Sequence, residues 1–116
     1  MKNILREKSL DFAAAILEFS ECLKEKKMFE VSNQLIRSAS SIGANIYESE
    51  YAESQSDLLH KLKISEKEAS ETHFWLELCS RNKHIEVPKE IFASLIEIKR
   101  LLGASIVTIK KNLNRL

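Results

Sequence analysis

Three histidines, two cysteines and seventeen carboxylates are the side chains of this 116-residue sequence with the richest chemistry. A helix-borne metal site needs ligands three or four residues apart, so that they share one face. His60, His73 and His84 have no His or Cys at those distances, and neither H-E-x-x-H nor C-x-x-C occurs. A carboxylate-bridged di-iron bundle requires Glu-x-x-His on two helices. His73 follows Ser70 at that spacing, and His60 follows Asp57, a shorter acid that gives one instance only. The histidines are expected to face solvent, with no metal and no cofactor. Cys22 and Cys79 cannot build a disulfide framework, and small buried hydrophobes are their expected role. A Ser or Cys nucleophile needs a base and an orienting group within hydrogen-bond reach. Three scattered histidines supply no such arrangement, so the chain is not expected to be an enzyme.

The informative polar residues are Arg37, Asn45, Glu48 and Glu71. Arg37 and Asn45 sit beside apolar positions, and Asn45 and Glu48 are three apart, hence on one helix face. Polar groups that are buried or half-buried must be paired. These four are expected to form a hydrogen-bond network between helices or subunits that fixes register rather than performing chemistry. Charge is also placed unevenly. No acid follows Glu97, whereas Lys99, Arg100, Lys110, Lys111 and Arg115 do; between Asn45 and Glu71 seven acids face Lys61, Lys63 and Lys67. A basic helix end can contact phosphates, and it can equally be a solvated turn favoured by the helix dipole.

Bulk composition narrows the partners. Eighteen Lys and Arg against seventeen Asp and Glu leave a net charge of +1. A strong nucleic-acid-binding domain has a pI above about 9, and this chain's is 7.8. Any nucleic-acid site must therefore come from local placement or from assembly. The longest apolar run, Phe12 to Leu17, is far below the ~20 residues that span a bilayer. Met1 to Leu10 alternates charge and has no leader-like apolar stretch. The expectation is a cytoplasmic protein with no membrane association, forming one domain over residues 1–116.

Two glycines and one proline exclude most turn-rich β folds and any Gly-rich phosphate loop. Four segments carry helical periodicity instead. The first spans about Ile4 to Lys26, with Leu5, Phe12, Ile16, Phe19 and Leu23 on one face and the polar run Lys24–Lys27 closing it. The second spans about Glu30 to Tyr51 and contains Ser38-Ala39-Ser40-Ser41-Ile42-Gly43-Ala44-Asn45. Gly43 alone costs a helix about 1 kcal/mol, yet the apolar spacing resumes at Ile46, so the helix is expected to continue. Ala39/Gly43 and Ser40/Ala44, four apart, would let a neighbouring backbone come close.

The third segment spans about Ser56 to Lys83 behind a capping-box-like Ser54-x-x-Asp57. Its seam is Leu58, Leu62, Ser65, Ala69, Thr72, Leu76 and Cys79, with a second stripe of Ile64, Glu68, Glu71, Trp75 and Leu78. Two stripes mean two neighbours. The fourth segment spans about Pro88 to Leu116, with Phe92, Leu95, Leu102, Ile106, Ile109, Leu113 and Leu116 as its stripe. Short loops between the segments make consecutive helices antiparallel neighbours. The predicted fold is all-α: an up-down-up-down antiparallel four-helix bundle.

The string Gln34-Leu35-Ile36-Arg37-Ser38-Ala39-Ser40-Ser41-Ile42-Gly43-Ala44-Asn45-Ile46-Tyr47-Glu48 resembles the signature of the four-helix-bundle proteins encoded within intervening sequences of 23S rRNA genes. The stretch Asp57 to Leu76, with Glu71-Thr72 ahead of Trp75-Leu76, is similar to their second signature. The resemblance covers essentially the whole chain. It implies a left-handed bundle assembling as a homopentameric ring with a central channel. Its motif positions here are Arg37, Ser41, Asn45, Glu48 and Glu71, and it implies a structural role for them. The family is similar to the accessory protein of diversity-generating retroelements, which works with a reverse transcriptase and binds nucleic acid. Those relatives are strongly basic, whereas this chain is nearly neutral.

Two readings of function follow. One is a non-enzymatic homo-oligomer that binds RNA or DNA, with Lys99, Arg100, Lys110, Lys111 and Arg115 as phosphate contacts. The other is a protein-interaction scaffold, a ring that holds a protein partner through exposed apolar surface and binds no nucleic acid.

Overall fold

The computed structural model describes residues 2–114, which form four helices: α1 (Lys2–Glu25), α2 (Phe29–Ser49), α3 (Gln55–Ser80) and α4 (Lys89–Asn114). Among the described residues there is no strand. The four lie within one to three residues of the segments read from periodicity, apart from the chain end. Leu116 and Arg115 lie outside the described residues.

Local chemistry sets the boundaries. Lys27 ends α1 in the left-handed region, at φ 61°. There Met28 N–H donates to the Leu23 carbonyl and Lys27 N–H to the Lys24 carbonyl, each at 2.9 Å. This is the double closure of a Schellman motif, built on a lysine where glycine is usual. Ser54 caps α3: its hydroxyl accepts from Asp57 N–H at 3.0 Å, and the Asp57 carboxylate accepts from Glu53 N–H at 3.1 Å. Pro88 stands just before α4, its carbonyl accepting from Ile91 N–H at 3.1 Å. α2 runs unbroken through Gly43, as expected.

Each helix packs on two others, α1 on α2, α2 on α3, α3 on α4 and α4 on α1, and the diagonal pairs do not meet among the described residues. Side-chain contacts run in opposite order along partners: Arg6 meets Glu50 near one end, and Thr72 meets Ser38 farther along than Ser65 meets Ile42. The result is a rod of 52 × 20 × 20 Å. Its core is a single cluster that includes Phe12, Ile16, Leu23, Leu35, Ile42, Leu76, Leu95, Ile98 and Leu102. Ile85, from the loop between α3 and α4, is buried with it. The α3 seam is buried from Leu62 to Cys79 at each expected position, while Leu58 is half-buried. Among the described residues no helix is long and apolar enough to cross a membrane.

Small hydroxyls line the inner seams. Ser9, Ser20, Ser32, Ser38, Ser49, Ser65 and Thr72 are all buried. A buried hydroxyl gains by finding an acceptor; most turn back on their own helix, Ser9 to the Arg6 carbonyl at 2.9 Å and Ser49 to the Ile46 carbonyl at 2.6 Å, while Ser32 Oγ has no partner among the described residues. Two cross between helices: Ser65 donates to the Ile42 carbonyl, and Thr72 lies against the Ser38 hydroxyl, both at 2.9 Å. On the other side of α2, a Cβ placed on Gly43 would stand 3.4 Å from Ser9 Oγ. The small-residue stretch is thus a close-contact seam, with α1 at Gly43 and α3 at Ser38 and Ile42.

Candidate functional site

α2 and α3 carry the polar motif residues on adjacent outer faces. Arg37 of α2 reaches across to α3, donating to Glu68 at 3.2 Å and to the Glu71 carboxylate, while its Nε donates to Gln34 at 3.1 Å. The Trp75 indole N–H donates to the same Glu71 oxygen at 3.0 Å. The Arg37 guanidinium, and after it the Trp75 N–H, hold the Glu71 carboxyl below the ordinary carboxylate value. Reciprocally, Glu71 and Glu68 raise the already high pKa of Arg37.

The single network expected from sequence divides into three pieces. Arg37 and Glu71 come together. Asn45 instead donates to the Ser41 carbonyl one turn back on its own helix, at 2.9 Å. Glu48 accepts from Lys61 of α3 at 2.9 Å, and this hydrogen bond, with its charge, raises the Lys61 pKa. The Arg37 pair also lies at the surface rather than in the interior, with 45% of the Arg37 side chain exposed. The reason is helical phase: the core of α2 takes Leu35, Ser38, Ala39 and Ile42, and Arg37 falls outside that arc. Gln34, Lys61, Glu68 and Trp75 were missed as members. The signal for Lys61 was present in sequence, because it leads Glu68 by two turns of α3 and so shares its face.

His73 departs from the solvent-facing expectation. It is half-buried between α3 and α4, with Lys99 Nζ 3.1 Å from Nδ1, Glu77 3.5 Å from Nε2, and the Phe92 ring edge-on at 6.0 Å. An ammonium only donates, so Nδ1 accepts and the ring proton sits on Nε2, facing Glu77. Cys79 is buried, which raises its pKa, and Cys22 is half-buried. Among the described residues no three His, Cys, Asp or Glu side chains gather as metal ligands would.

Of the five cations assigned from sequence, four lie among the described residues, all on α4. Lys99 is engaged by His73, and Arg100 lies 3.7 Å from Glu97. Lys110 and Lys111 are exposed in the last turns of α4, and Arg115 lies outside the described residues. Two open depressions mark the surface. One, of about 970 Å³, lies at the end where α1 begins and α4 ends, and is lined by Ile4, Leu5, Leu58, Leu101 and Ala104 with Glu50 and Gln55 among its polar groups. The other, of about 680 Å³, runs between α3 and α4 past Lys63, Lys67 and Lys99.

Comparison with known proteins agrees with the fold. No curated protein matches the chain. A crystal structure of a protein of unknown function from the S23 ribosomal protein family of Bacteroides thetaiotaomicron superposes with a TM-score of 0.85 at 43% identity, covering 91% of this chain and 98% of that one. The model of the 23S rRNA-intervening sequence protein family matches residues 1–104. With α1, α2, α3, the first part of α4 and both signature stretches inside that match, the chain belongs to the 23S rRNA-intervening sequence protein family.

Proposed function

We propose that this protein acts without catalysis, as a homo-oligomer that binds RNA or DNA through basic surface, with five copies in the ring that the family resemblance implies. The observation that carries the assembly is the outer face of the bundle. Each helix has only two neighbours, yet apolar side chains also point away from both. Leu10 and Leu17 on α1, Leu78 on α3, and Ile96 and Val107 on α4 are each about half exposed. Leu10 and Leu17 are seven residues apart, the spacing of a seam that another helix covers. Outward apolar stripes on several faces of one small domain mark interaction surface.

Nucleic-acid binding is supported by cations that no carboxylate covers, Lys99 and Lys110 among them. Repetition around a ring would add their fields although each copy is almost neutral. The scaffold reading is supported by Phe29 and by Tyr51, which is 86% exposed; it predicts a ring that holds a protein and ignores RNA.

Light scattering at 50 and 300 mM salt, with and without an RNA oligonucleotide, tests the proposal. The expected result is a mass near five times 13.3 kDa that is insensitive to salt, and RNA association that weakens steeply as salt rises. A 13.3 kDa monomer overturns the assembly, and no association at 50 mM overturns the nucleic-acid reading.

A further inference from the structure

Several cations on this surface are already answered by carboxylates. Arg6 meets Glu50, Lys8 meets Glu97, Lys24 meets Glu21, Arg37 meets Glu68 and Glu71, and Lys61 meets Glu48, all within 4.0 Å. The groove between α3 and α4 gathers three lysines, two of them without a carboxylate partner. Lys67 has no carboxylate within 4.0 Å among the described residues, and Lys99 is held by a histidine ring rather than an acid. Lys63 has Glu66 at 3.4 Å, and Glu66 is the one acid lining the groove.

Helical phase extends this stripe in both directions. Lys63, Lys67, Ser70 and Phe74 follow at steps of four, three and four, and so lie along one side of α3. Lys110 is eleven residues beyond Lys99, three turns on, and returns to the same side of α4 about 16 Å away. Ile106, about 20° from Lys99 on the side away from Lys110, is buried, whereas Arg100 and Lys111 fall about a quarter-turn outward. At the end of the stripe the Phe74 ring is 57% exposed, propped edge-on against Trp75 at 5.1 Å.

We infer that the α3–α4 groove holds a single-stranded nucleic acid, its phosphates along Lys63, Lys67, Lys99 and Lys110 and a base stacked on Phe74. This rests on the nucleic-acid reading above and deepens it: it adds Lys63, Lys67 and Phe74 to the contacts and removes Arg100 and Lys111 from them. An open groove with cations in two rows suits an extended polyanion better than a compact one. An exposed aromatic in line with the cations is what strand-binding surfaces use, since every base has a stacking face.

The test is fluorescence anisotropy of a labelled 20-nucleotide oligouridine titrated with the full chain at 50, 100 and 200 mM salt. Four engaged lysines predict a slope of log K on log salt near −2.8, or about a fifty-fold loss over that range. Lys67→Gln alone should reduce the slope by about 0.7, and Lys67→Gln/Lys99→Gln by about 1.4. Phe74→Ala should weaken binding roughly tenfold and leave the slope unchanged. Arg100→Gln/Lys111→Gln should behave as the parent.

If the parent binds and Arg100→Gln/Lys111→Gln takes the slope while Lys67→Gln does not, the groove is overturned and the nucleic-acid reading stands. If the parent does not bind at 50 mM, both fall. If Lys67→Gln lowers the light-scattering mass and leaves the slope intact, the groove is a seam between copies and the inference is overturned. Helical ellipticity at 222 nm reports that each variant remains folded.

Discussion

Gly43 is where the small-residue seam can be measured. Replacing glycine by alanine inside a helix contributes about 1 kcal/mol from backbone propensity alone. Whether that gain survives depends on what the new Cβ meets. Here it would stand 3.4 Å from Ser9 Oγ, 3.7 Å from Ser9 Cβ and 3.7 Å from the Ser9 carbonyl oxygen, all ordinary van der Waals contact. One methyl fits, and Gly43→Ala should stabilise the protein by about 1 kcal/mol, a rise of about 4 °C in Tm for a domain of this length. Gly43→Leu adds three further carbons where Ser9 already stands. Overpacking of that kind costs about 1–3 kcal/mol, so its effect should have the opposite sign. Urea denaturation followed at 222 nm, at one fixed protein concentration because assembly shifts apparent stability, measures both. Destabilisation of 1 kcal/mol or more by Gly43→Ala would refute the packing described between α1 and α2. Equal stability of the Ala and Leu variants would refute the claim that this face is enclosed at all.

Other outcomes follow from the same structure. Lys27 closes α1 with a positive φ that costs a non-glycine residue about 1 kcal/mol, so Lys27→Gly should raise stability by up to that amount in the same denaturation assay. Ser65→Ala removes the inter-helix bond to the Ile42 carbonyl and should cost about 1 kcal/mol, with Ser40→Ala, whose exposed hydroxyl bonds only its own helix, near neutral as its control. Glu71 has a folded-state pKa below the unfolded value of about 4.3; the unfolded chain therefore binds more protons, and the stability Glu71 confers is present above that pH and lost as pH falls through the folded value. Melting curves from pH 5 to pH 2.5 should show a shallower decline for Glu71→Gln than for the parent, and an identical decline would refute the assignment. Nitrogen-detected NMR of the histidine rings at pH 8 should find His73 with its proton on Nε2 while Lys99 is present; the opposite tautomer would remove the Lys99 contact.

Much of the fold was legible along the chain because helix burial is a one-dimensional rule. A position's phase decides whether it faces inward, and the α3 seam from Leu62 to Cys79 could be written down position by position. The polar site was less legible for a related reason. Phase says which side of its own helix a residue occupies, but a pairing depends on the axial register of two helices. Arg37 and Glu71 each lie on the flank of their helix, and register brings them together; Asn45 lies close to the same flank, yet its amide reaches the Ser41 carbonyl of its own helix first.

Sequence alone determined that this chain forms four amphipathic helices, that the Ser-Ala-Ser-Ser-Ile-Gly-Ala stretch stays helical, and that both signature stretches of the family are present. Tertiary structure decided which cations keep a free charge. Lys61 and Lys67 are equivalent in a tally of residues, yet one sits across from Glu48 of α2 and the other opens onto the α3–α4 groove. Coulomb energy falls with distance in space and not with separation along the chain, so neutralised and available charges become distinguishable only once the helices are set side by side.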